Sequence, residues 1–66
     1  MNEVQARELF TYEHLPSHLQ AVSQPYHDLA VLTCSMVLAS AERTLALRKL
    51  WEAKNYAVWC AAQQAK

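Results

Sequence analysis

The chain has no glycine among its 66 residues. Two-residue strand hairpins need positive φ and so rely on glycine, and phosphate-cradling loops are built on it. Neither device is open to this sequence. Proline is scarce as well, at Pro16 and Pro25 alone. No apolar run approaches the roughly 18 residues that a membrane span requires; the stretches at 29–32 and 57–62 fall far short. The opening MNEVQARELF carries acids and lacks an apolar core, so no secretion signal is expected. Charge of one sign is also missing: six basic residues balance six acidic ones, too little for the broad basic footprint that duplex nucleic acid wants.

Recognisable chemistry is equally thin. The carboxylates are scattered and no Ser–His or Cys–His arrangement is legible, so catalytic residues and cofactors are not expected. His14 and His18 have the spacing of helical metal ligands, but Pro16 lies between them and no third ligand is near. Structural zinc usually takes four ligands, so no metal is expected either. Cys34 and Cys60 offer one disulfide at most. In a hairpin turning near residue 39, Cys60 falls level with residue 19, about 15 residues or roughly 22 Å from Cys34 along the helix. That exceeds the ~7 Å reach of a disulfide. Two free, buried thiols in a reducing compartment are the expectation, which points to the cytoplasm.

What is present is helix-forming and apolar. Ala, Leu, Gln, Glu, Lys and Arg dominate, and 53 % of the chain is hydrophobic, above the usual ~45–50 %. A chain this short buries only about 60 % of its unfolded surface, and small scaffolds are stapled by disulfides, metals or partner subunits. With the first two set aside, self-association remains. The fold expected is all-α: a two-helix antiparallel hairpin with a short N-terminal arm, assembling as a homo-oligomer, in one domain over 1–66.

Residues 1–16 read as the arm. Asn2 to Phe10 can form a short helix, and Thr11-Tyr12 and Leu15-Pro16 favour extension after it. The first helix is expected over 17–39, with Leu19, Val22, Tyr26, Leu29, Thr33 and Met36 on one face. Its break is expected near Pro25, where Ser23 caps a fresh start. The second helix is expected over 40–64, with Ser40 as N-cap and Glu42 in the first turn. Ala46, Leu50, Ala53, Ala57 and Cys60 trace a small-residue seam for the partner helix, flanked by Leu47, Trp51 and Val58. Leu45, Tyr56 and Trp59 fall opposite it. A helix apolar on several sides is buried on several sides, which again asks for neighbouring protomers. The link at 38–41 has neither glycine nor proline, so local rules also permit one unbroken helix.

Charge is uneven along the chain. Residues 1–39 hold Glu3, Glu8, Glu13 and Asp28 against Arg7, a net of −3; residues 40–66 hold five bases against Glu42 and Glu52, a net of +3. Attraction between the halves explains this, and so does a small anionic ligand met by a few bases. Phe10 and Tyr12 either stack on a nucleobase, with Arg43, Arg48 and Lys49 on its phosphates, or pin the arm to the hairpin. The residues alone leave both open.

The run Ser40-Ala-Glu-Arg-Thr-Leu-Ala-Leu-Arg-Lys-Leu-Trp-Glu-Ala-Lys-Asn-Tyr-Ala-Val-Trp59 resembles the second helix of a family of short phage proteins. So do the arm Phe10-Thr11-Tyr12, the following His14-Leu15-Pro16, and Val22-Ser23-Gln24-Pro25 with Asp28-Leu29-Ala30. That family shares a helical-hairpin domain with phage sponge proteins that counter the CBASS and Thoeris defences, and the resemblance covers about 10–62. Glu13 between Tyr12 and His14, and the proline-free link, depart from its pattern. The resemblance implies a host-cytoplasmic anti-defence protein that sequesters cyclic di- or trinucleotides, or cyclic ADP-ribose derivatives, without cleaving them. It further implies a hexamer with ligand pockets between protomers, and Phe10, Tyr12, Arg43, Thr44, Arg48 and Lys49 as ligand-binding residues. The rival expectation is an oligomeric helical module that blocks a host protein through an apolar face.

Overall fold

In the computed structural model, which describes residues 1–64, the chain forms three helices: α1 (Glu3–Leu9), α2 (Ser17–Met36) and α3 (Ala41–Gln64). The fold is all-helical, with no strand among the described residues. The arm therefore adds a third helix to the two expected. The long helices lie against each other and α1 packs on α2. The particle measures 40 × 18 × 15 Å, so its length barely exceeds that of α3 alone at about 1.5 Å per residue.

α1 begins at a reciprocal cap. Gln5 N–H donates to Asn2 Oδ1 at 2.8 Å, while Asn2 N–H donates to Gln5 Oε1 at 3.0 Å. At its other end the Thr11 hydroxyl donates to the Arg7 and Glu8 carbonyls. Seven residues make a marginal helix on their own, so packing has to hold it. Phe10, the residue after it, is fully buried with Ala6, Ala30 and Leu47, and Met1, Leu9, Tyr26, Cys34, Leu50 and Trp51 pack around that cluster.

α2 runs unbroken through Pro25, contrary to the break expected there. Ser23 caps nothing: its side chain is fully buried and its hydroxyl has no hydrogen-bond partner. Proline inside a helix costs one backbone hydrogen bond and a steric clash, ~3 kcal/mol or more. Burial of Ser23 and Ala30 against the rest of the protein holds the segment helical in spite of it. At the start of α2, where Pro16 at the N-cap makes no side-chain hydrogen bond, the Gln20 amide donates to the carbonyls of Glu13 and Leu15 and ties the preceding turn to the helix.

The glycine-free link ends α2 by another route. Helices commonly close with a left-handed residue, but none of the described residues has positive φ. Val37 instead turns extended (φ −125°, ψ 138°). The Arg43 guanidinium reaches back from α3 and donates to Val37 O at 3.2 Å and Cys34 O at 3.4 Å. Ser40 caps α3 as expected, its hydroxyl accepting from Arg43 N–H at 3.0 Å. One residue thus closes the first long helix while sitting in the first turn of the second.

The inward face of α3 is rotated from the expected seam. Arg43, Leu47 and Lys54 are buried and Leu50, Trp51, Ala57 and Val58 half-buried, whereas Ala46, Ala53 and Cys60 are exposed. Arg43 and Leu47 set the rotation, one bonded to the end of α2 and the other enclosed with Phe10. On α2, Leu29 and Met36 likewise stand exposed where burial was expected. Both cysteines are free, but Cys60 is exposed rather than buried.

Candidate functional site

The residues expected to bind ligand separate into four groups. Phe10 and Arg43 belong to the frame. Phe10 is enclosed on every side, so it offers no face for stacking; the aromatic pins the arm. Arg43 is 9 % exposed, and besides the two carbonyls of α2 its Nη2 donates to Met1 O at 2.8 Å. Its fork ties α1, α2 and α3 together and has no free edge for a phosphate. Only Nε is left without a partner, and it is buried.

Tyr12 stands apart. It is half-buried, with its ring edge-on to His27 at a centroid distance of 5.2 Å. His27 Nδ1 lies 3.2 Å from Asp28. The neighbouring Glu13 carboxylate is held below the usual range by backbone N–H groups, its own and then that of Tyr12, with a smaller pull from His27 and His14.

Thr44 and Arg48 sit together at a groove. Met1 with Gln5, Glu8 and Leu9 of α1 lines one wall, and Thr44 and Arg48 from α3 line the other, around a volume of about 500 Å³. A second lobe of about 410 Å³ continues along Arg48 to Trp51 and Glu52. The Thr44 hydroxyl accepts from the Met1 main-chain nitrogen at 2.8 Å, which fixes the start of the arm to this wall. Arg48 is exposed and has no ion pair among the described residues. Glu8 and Glu52 are the acidic residues of the lining, and Arg48 is its one basic side chain and not part of a basic cluster. Lys49, one residue on, is outside this lining and sits 3.9 Å from Glu52 on the exposed side of α3.

The short helix allowed over 2–10 forms as α1, but a groove wall of Gln5, Glu8 and Leu9 is absent from the sequence-based expectation. Its signal was present: Asn2 followed three residues later by Gln5 is a capping-box pattern, and a helix from residue 3 presents Gln5, Glu8 and Leu9 on one side. A third concavity, about 310 Å³ and nearly all apolar, lies along α3 at Asn55, Tyr56 and Trp59. No protein-family model, no curated protein and no solved structure matches the chain.

Proposed function

We propose that the protein is a phage anti-defence sponge, a self-assembling binder that sequesters cyclic di- or trinucleotides or cyclic ADP-ribose derivatives in the host cytoplasm without cleaving them. The resemblance of the arm and of the α3 run carries the ligand class. The observation that supports a site is Arg48, an uncommitted guanidinium opening on the groove between α1 and α3. Guanidinium binds phosphate as a planar two-donor fork, and the half-buried Trp51 in the adjoining lobe supplies an apolar surface. With one guanidinium and two nearby carboxylates, a single groove is a poor cage for a dianion. A pocket completed by a neighbouring protomer fits the ligand better, and it agrees with the exposed apolar residues of α3. In this reading α2 and α3 form an antiparallel hairpin within a homo-oligomer, a hexamer by resemblance. Phe10 and Arg43 position the site, and Arg48 and Thr44 face the ligand.

Calorimetric titration against a panel of cyclic di- and trinucleotides and cyclic ADP-ribose isomers tests this. Tight binding is expected from at least one member, with the ligand recovered chemically intact after denaturation. Arg48→Ala is expected to weaken retention by about tenfold or more and to leave the melting curve unchanged, because its side chain is exposed. Silence from every member, with a stable oligomer present, overturns the proposal. The second reading is then favoured: a protein-interaction module, for which the apolar shelf at Tyr56 and Trp59 is the supporting observation.

A further inference from the structure

The outward face of α3 carries a stripe that reads the same from both ends. Leu45, Lys49, Glu52 and Tyr56 follow at steps of four, three and four, so they share one side of the helix. All four are exposed. The midpoint of the stripe falls between Leu50 and Trp51: Lys49 and Glu52 lie equally far to either side, and so do Leu45 and Tyr56. Each pair joins complementary partners, a cation with an anion and an aliphatic side chain with an aromatic ring. Within one chain the arrangement is poorly used. Lys49 and Glu52 meet only at 3.9 Å, with both side chains more than half exposed. Lysine before glutamate is also the weaker order on a helix. Leu45 is 57 % and Tyr56 73 % exposed.

We propose that this face is a two-fold interface with a second copy of the chain, the two α3 helices running antiparallel about the Leu50/Trp51 midpoint. A two-fold contact is self-complementary: if one position meets another, the reverse meeting follows. Lys49 then meets Glu52 of the partner subunit and Glu52 meets the partner's Lys49. Leu45 packs on the partner's Tyr56, and Tyr56 on the partner's Leu45. Both ion pairs form in one register only, because a shift of one helical turn sets like charges or unlike sizes opposite each other. Trp59, 62 % exposed, comes level with the first turn of the partner subunit's α3. Ala53 beside the stripe is small and exposed, which allows the two helix axes to come close. The inference rests on the self-assembly part of the function proposed above and not on its ligand.

Charge reversal with mixing tests the register. In Lys49→Glu both cross-subunit pairs become acid against acid; in Glu52→Lys both become base against base. Each variant alone is expected to weaken the two-fold association by about tenfold or more, read by sedimentation equilibrium at low salt, while circular dichroism stays helical. Mixed in equal amounts, the two variants restore opposite charges at both pairs, so the mixture is expected to regain the association. The double variant Lys49→Glu/Glu52→Lys is expected to associate like the wild type. A wild-type chain that sediments as a monomer overturns both this interface and the self-assembly reading. A wild-type oligomer indifferent to both reversals, or a mixture that fails to recover, overturns this interface alone and leaves the sponge reading to its titration.

Discussion

The two ends of the long helix pair are built on opposite principles. Toward the link, Phe10, Ala6, Ala30 and Leu47 are fully buried together, and Arg43 binds carbonyls on two other segments. Away from it, the buried residues of the pair include Lys54, a lysine covered along most of its length, and Ser23, a hydroxyl without a partner. The large apolar side chains there, Tyr56 and Trp59, are outside. Burial of an unpartnered polar group costs free energy, and exposure of an aromatic forgoes it. One end is thus organised for the stability of the single chain. The other keeps polar groups inside and its aromatics outside, while apolar surface open to association stands at both ends, at Met36, Val37 and Leu38 beside the link as well as at Tyr56 and Trp59.

Substitution of Phe10 gives the largest test of this division. Phe10→Ala opens a cavity beneath all three helices, and such truncations cost about 3–5 kcal/mol. For a chain of this size that is much of the total stability. Urea melts followed by circular dichroism at a concentration where the chain is monomeric are expected to show it largely unfolded. Tyr56→Ala in the same experiment is expected to change little, because exposed positions move stability by about half a kcal/mol or less. Equal losses at the two positions would erase the comparison.

Arg43 comes next. Arg43→Ala leaves the carbonyls of Cys34, Val37 and Met1 without their donor. The expected cost is about 2–3 kcal/mol in the same melts. Arg43→Lys keeps the charge but not the fork, so it is expected to recover only part of the loss. Full rescue by lysine would mean that charge, and not the bridging of three carbonyls, closes α2.

These two residues also show what the sequence could and could not convey. Helical class and the Ser40 cap were legible, because each follows from local chemistry: propensity, and a hydroxyl before a helix. The face of α3 was not. Ala46, Ala53 and Cys60 recur at a seam's spacing but lie exposed, since alanine suits an exposed helical surface for propensity alone. The true inward face passes through Arg43 and Lys54, residues that hydrophobic patterning assigns to water. For the same reason Arg43 was read as a phosphate ligand. That it serves as a cap depends on a link with no glycine, whose carbonyls must find donors from elsewhere in the fold. Tertiary demand of that kind leaves no local signature.

Lys54 offers the smallest expected effect and the most direct reading of the weaker end. It is 9 % exposed, and burial pushes its pKa below the ordinary lysine value of 10.5 because the ammonium is the form that loses most by leaving water. Between the lowered native value and 10.5 the unfolded chain holds more protons than the folded one. Stability therefore rises with pH across that window, and it is the charged form at neutral pH that weighs on the fold. Lys54→Met keeps the length of the side chain and removes the charge. It is expected to raise stability at neutral pH by about 1 kcal/mol, with the difference shrinking as pH climbs past the native pKa of Lys54. Urea melts of both proteins from neutral to alkaline pH, run at monomeric concentrations, check the sign. If the two curves are parallel at every pH, the ammonium reaches water, and the weakness of that end must be sought in Ser23 and the exposed aromatics instead. If they converge, a charge held inside the helix pair keeps the isolated chain weak at the end where the proposed partner helix would lie across Tyr56 and Trp59.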